Sequence, residues 1–185
     1  KLSEFSNSAK KIPAVIEFVD IAGLVKGASE GQGLGNKFLA NIRETDAILE
    51  VVRIFEDSDV IHVEGNINPI RDIGVINLEL ILADLETVTK RIGNLERDKK
   101  RGDKNAVTES DALVRIKEAL LQEKLANTVP LDEKEIPLVK QVNLLTRKPF
   151  LYALNKKSGG VNLDESNKDE FIKLTDYIEI GRASC

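Results

Sequence analysis

The stretch EFVDIAGLVKGASEGQGLGNKFLANIRETD, Glu17 to Asp46, decides how the chain is read. An apolar run closes on Asp20, and Gly23 follows three residues later. Gly27, Gly31, Gly33 and Gly35 then make a pliable segment before Phe38, Leu39 and Ile42 take up helical spacing. Ala14 to Asp20 is short, apolar and β-branched apart from its acids, which predicts a strand buried on both faces of a parallel sheet. An acid at the carboxyl end of such a strand stands where parallel sheets bind ligands.

The rest of the chain extends this pattern. Asn36 to Glu44 is predicted as a helix, and DAILEVVRIF, Asp46 to Phe55, as a second buried strand. Glu56 to Arg71 is rich in turn formers and reads as loop. Leu78, Ile81, Leu85, Val88, Ile92 and Leu95 then step by three and four, the seam of a long helix. Arg97 to Ser110 is polar, holds Gly102, and reads as a turn. Leu113, Ile116 and Leu120 resume the stepping, so the two helices predict an antiparallel hairpin projecting into solvent. Asp132 and Glu135 have the spacing of a capping box for a helix through Leu138, Val139, Val142 and Leu145. Phe150 to Leu154 is a further buried strand, ending at Asn155, and a short helix is expected from Asn167 to Leu174. Strand and helix alternate outside the hairpin, so the fold class is α/β with a mainly parallel sheet.

Composition narrows the function. With 185 residues, 42% apolar and 31% charged, the chain suits one globular domain and a small satellite. A net charge of −4 gives no push toward nucleic acid or membrane, so neither a membrane nor sequence-specific DNA is an expected partner. No apolar run is long enough to span a bilayer, and no signal peptide is seen before Ile12. One cysteine excludes an internal disulfide framework and suits a reducing cytosol. One histidine and one cysteine exclude a His/Cys-rich zinc site.

Both ends are unusual. The first residue is Lys1, and no methionine occurs anywhere. The final IGRASC, Ile180 to Cys185, resembles the translation of a sequencing adapter, so an artefact is expected there rather than a natural tail. On this reading the domains are 1–76, a first core part; 77–131, the inserted helical arm; 132–179, a second core part; and 180–185, the artefact.

The arm has two readings, a solvated coiled coil or a docking surface for a large partner. The basic cluster Arg97, Lys99, Lys100, Arg101 and Lys104 at its tip leans toward docking.

The D-x-x-G of Asp20 and Gly23 carries the chemistry. Asp20 can hold Mg²⁺ through water, and Gly23 lets its N–H approach a phosphate oxygen. The glycines beyond let the loop reorganise when a terminal phosphate leaves. A dinucleotide fingerprint is excluded, because Gly31, Gly33 and Gly35 are spaced G-x-G-x-G rather than G-x-G-x-x-G. A merely flexible surface loop is the bland alternative.

At this point IEFVDIAGLVKGASEGQGLGNKFLANIRETDAI, with VVRIFED, INLELILADLE and KPFLYALN, resembles the YchF subfamily of Obg-related P-loop nucleotidases, the Obg-like ATPases. The likeness covers nearly all of residues 12–155. It implies a G-domain-like P-loop nucleotidase with an inserted coiled-coil arm, a cytoplasmic ATP or GTP hydrolase using Mg²⁺, and the ribosome as partner. Asp20 and Gly23 match the family's D-x-x-G. Leu24 stands where many GTPases place a water-positioning glutamine, so the resemblance implies another group for that role. His62 matches a loop histidine proposed for it; the other reading is an ordinary loop histidine. Asn155 matches the first residue of the base-reading motif. That motif usually carries an acid at its fourth position, and Ser158 stands there. Guanine preference loses its usual anchor, leaving ATP or either nucleotide.

The phosphate-cradling G-x-x-x-x-G-K-[ST] does not occur in these 185 residues, and no convincing first-switch threonine does. In the family both lie N-terminal to IEFVDIAG, so the chain reads as an internal fragment that is inactive alone. The alternative is a non-catalytic binding module acting through the arm.

Overall fold

The computed structural model describes residues 5–6, 10, 15–21, 34–56 and 68–180. The elements are helix α1 (Leu34–Arg43), strand β1 (Ile48–Arg53), helix α2 (Pro69–Lys100), helix α3 (Lys104–Leu121), helix α4 (Glu135–Lys140), strand β2 (Phe150–Asn155), and helices α5 (Leu163–Ser166) and α6 (Lys168–Ile180). Single 3-10 turns at Ala126–Thr128 and Leu145–Arg147 flank α4.

β1 and β2 pair in parallel, in register from Ile48 opposite Phe150 to Arg53 opposite Asn155. Two of the three predicted strands are therefore present, in the predicted parallel relation, though neither is buried on both faces as expected. β1 alternates strictly: Glu50 and Val52 are buried, while Leu49 and Val51 face outward with Leu151. On the buried side, Val52 and Ile54 pack with Ile73 of α2 and with Leu174 and Ile178 of α6.

α2 organises the rest. Asn68 caps it, its Oδ1 accepting the Arg71 N–H at 3.0 Å, and Pro69 takes the first turn, where its missing N–H costs nothing. Its 32 residues run about 48 Å at the usual rise. The first turns rest on the sheet through Ile73. The next join α1, with Leu80 against Ile42 and Leu145. The rest pairs with α3 through Ile81, Val88 and Leu95 against Ala106, Leu113, Ile116 and Leu120. Arg91 and Glu109 tie the two helices with two hydrogen bonds, Nε to Oε1 at 2.6 Å and Nη2 to Oε2 at 2.8 Å. The hairpin is thus the predicted seam in solid form.

Several expectations need correction. Residues 15–20 belong to no strand, and Val15, Ile16, Phe18 and Val19 are exposed. A parallel strand exists through neighbours on its edges; among the described residues the sheet has only β1 and β2, paired with each other. The turn at the arm tip is far shorter than Arg97 to Ser110. α2 runs to Lys100 and α3 starts at Lys104, because Gly102 adopts φ +84° and Asp103 caps α3 through the N–H groups of Asn105 and Ala106. Leu78 is exposed rather than in the seam: at its level α2 turns Asn77, Leu80 and Ile81 inward. The loop predicted to run to Arg71 ends at the Asn68 cap.

The capping box of Asp132 and Glu135 is formed as predicted. Asp132 Oδ1 accepts the Lys134 and Glu135 N–H groups, and Glu135 Oε2 accepts the Asp132 N–H. The helix it opens stops at Lys140, however, and Asn143 takes φ +53°. Leu145 then belongs to a 3-10 turn, not to that helix. The last helix, expected over Asn167 to Leu174, extends to Ile180.

Candidate functional site

β2 delivers Asn155 to its carboxyl end, where the residue is exposed and its carbonyl accepts the Ile54 N–H at 3.0 Å. The loop beyond it is built tightly. Gly160 N–H donates to Lys157 O at 3.1 Å, and Gly159 has φ +69°. A Cβ at Gly160 would lie 2.9 Å from the Lys157 side chain, so this turn needs glycine at both positions. Lys156 is drawn back over α5, its Nζ 2.7 Å from Asp164 Oδ2 and 2.9 Å from Glu165 Oε1. These two hydrogen bonds, Asp164's foremost, hold the Lys156 pKa above the ordinary lysine value.

Asn162 underlies the loop and is nearly fully buried. Its Oδ1 accepts the Lys157 N–H at 2.9 Å, and its Nδ2 donates to the carbonyls of Lys157 and Gly160 at 3.2 Å each. The sequence reading passed over this residue. The signal was local: an asparagine two residues after a glycine pair, where a side-chain amide commonly closes a turn.

Asp20 is exposed at the end of residues 15–20. Its neighbour Ile21 reaches the cluster of Ile42, Leu80 and Leu145, so the segment is moored where α1 meets α2. Arg43 ends α1 and donates to Thr87 Oγ1 of α2 at 3.2 Å and to Asn143 O at 3.5 Å. Lys148 Nζ donates to the carbonyls of Arg43 and Thr45 and to Asn143 Oδ1, and burial pushes its pKa down. A cation at this end also suits the helix dipole.

Gly23 and His62 lie outside the described residues, as does Leu24. Of the four expected site residues, the structure therefore places Asp20 and Asn155, on separate segments. Among the described residues no three acidic, histidine or cysteine side chains form a metal cluster. A lone exposed carboxylate fits Mg²⁺ nonetheless, since that ion keeps several waters and takes one or two carboxylates beside substrate phosphates. Asp20 would supply the carboxylate.

A parallel strand pair flanked by helices, with a tight loop after a half-buried strand, fits the arrangement of the P-loop GTPase class. The model of a family described as "50S ribosome-binding GTPase" matches residues 4–82. The Bacillus subtilis ribosome-binding ATPase YchF is 50% identical over 96% of this chain and 48% of its own length. The corresponding Escherichia coli O157:H7 protein is 44% identical over 86% of this chain and 44% of its own. The solved Schizosaccharomyces pombe YchF GTPase superposes with a TM-score of 0.71 at 31% identity, covering 96% of this chain and 48% of that one. The chain belongs to the YchF family, and it spans about half the length of the relatives it matches.

Proposed function

We propose that these residues form the nucleotide-sensing part of a ribosome-associated ATP or GTP hydrolase of the cytoplasm. Asn155 and its loop read the purine, Asp20 holds Mg²⁺, Gly23 presents its N–H to the terminal phosphate, and His62 orients the attacking water. Residues 1–76 and 132–179 form the core, with 77–131 as the arm that meets the ribosome. The bound Mg²⁺ would supply charge neutralisation at the phosphates. Asn155, at the carboxyl end of a parallel strand in a chain half identical to a ribosome-binding ATPase, is the observation that carries this reading.

Because the 185 residues hold no G-x-x-x-x-G-K-[ST], they lack the amides and lysine that stabilise a transferred phosphoryl group. The chain by itself then binds nucleotide weakly and does not turn it over. The test is phosphate release from ATP and GTP with Mg²⁺. Turnover by the purified chain that disappears in Asp20→Ala would overturn the reading.

A second reading is favoured by one feature. The largest buried cluster lies in the arm and its base, from Ile81 to Leu144, while Val15 to Val19 stand exposed. The arm is then the working unit, a binding module that the α/β part presents. Ribosome binding that persists in Asp20→Ala and Asn155→Ala, and ignores nucleotide, would favour it.

A further inference from the structure

We propose that Asn162 is the positioning residue of the base-reading loop, setting its shape and hence its affinity for a purine nucleotide. This rests on the reading of Asn155 given above. One side-chain amide satisfies both the N–H and the carbonyl of Lys157, as a neighbouring strand would, and its second N–H proton reaches Gly160 O. The clamp sits on a firm mount. Phe55 and Asn162 form an antiparallel bridge, with Glu56 N–H donating to Val161 O at 3.0 Å and Leu163 N–H to Ile54 O at 2.8 Å. The loop is therefore fastened to the continuation of β1, beside the strand that carries Asn155.

What the clamp uses defines what the loop can offer. Lys157's backbone is turned to Asn162, and Lys156 is tied back to Asp164 and Glu165. Asn155 and Ser158 are left exposed at the surface. Without an acid at position 158, the base is held by neutral hydrogen bonds alone. Such bonds tolerate little displacement, so a side chain that fixes the backbone governs affinity without touching the ligand.

The test is amide NMR of the 185-residue chain titrated with millimolar ATP and, separately, GTP. Wild type is expected to show shifts at the Asn155 side chain and the Ser158 amide. In Asn162→Ala both titrations weaken about tenfold, the loss expected for one or two hydrogen bonds. Asn162→Asp, of equal size, is expected to do no better, because its second oxygen would face the carbonyls of Lys157 and Gly160. A space-filling role would spare it. Unchanged arm signals show that each variant is folded, and Asn162→Asp gives the same reading should Asn162→Ala fail to fold. Shifts that Asn155→Ala abolishes but that both Asn162 variants keep within about twofold would overturn this proposal and leave the base-reading role standing. No purine-dependent shift in wild type, or Asn155→Ala binding as wild type does, would overturn both.

Discussion

Thr146 gives both its N–H and its hydroxyl to one carboxylate oxygen, Oδ2 of Asp84, at 2.8 and 2.7 Å, with all three groups buried. Asp84 Oδ1 takes the Leu145 N–H at 2.9 Å, and Thr146 Oγ1 in turn accepts the Ala126 N–H at 3.1 Å. One aspartate thus fastens the middle of α2 to both 3-10 turns flanking α4. Burial pushes its pKa up, while the hydrogen bonds from Thr146 and Leu145 and the Arg43 charge pull it back.

Asp84→Ala strands two backbone N–H groups and a hydroxyl in the core. The expected cost is about 3 kcal/mol or more, read as a lowered denaturant midpoint. Asp84→Asn should recover little of it, since its amide would direct a donor at a donor. A loss below about 1 kcal/mol for either variant would show the network to be replaceable.

Glu50 sets a pH dependence. It is buried on β1, neither carboxylate oxygen has a partner among the described residues, and burial pushes its pKa up to about 7. The folded state therefore holds a proton that the unfolded chain, with a carboxyl near 4.5, gives up. Stability is expected to fall as pH rises from about 4.5 to 7 and to level off above, by about 3 kcal/mol in all. Glu50→Gln should flatten that slope and stabilise the protein at pH 8. An unchanged pH profile in Glu50→Gln would count against the assignment.

The arm has its own test. Glu109 is buried, and Arg91, partly exposed, meets it with two hydrogen bonds. Arg91→Ala leaves the carboxylate unpaired and is expected to cost about 1–2 kcal/mol, discounted for the exposure of the arginine. Arg91→Lys should rescue only part, because an ammonium cannot match the two-point contact. A double-mutant cycle with Glu109→Ala checks this; a coupling near zero would contradict it.

Lys148 holds the C-terminus of α1 through the carbonyls of Arg43 and Thr45. Lys148→Ala should speed amide exchange along Leu34–Arg43 while leaving α3 protected. Equal protection of α1 in both proteins would mean that the Ile42, Leu80 and Leu145 packing suffices alone.

Much of this was legible in the sequence where periodicity speaks. β1, β2 and the seam of α2 with α3 follow from apolar spacing, and the cap at Asp132 from its glutamate three residues on. Residues 15–20 carry the composition of a strand, but a strand needs edge partners that no local pattern encodes. Asp84 reads as one more charge on a helix, since its partners lie some 60 residues away. The break after Lys140 follows from Asn143 adopting a left-handed conformation, which the continuous apolar spacing concealed. The place of Asn155 at the end of β2 could be read from the apolar run before it, its proposed role came from the family resemblance, and the contacts of Asn162 needed the folded loop to be seen.

Co-sedimentation with purified ribosomes tests the central claim most directly. The chain should pellet with ribosomes at low salt and be released as salt rises, and charge reversal at Arg97, Lys100 and Arg101 should keep it in the supernatant. A folded chain that stays in the supernatant at low salt, or a reversed tip that pellets as wild type does, would contradict the account.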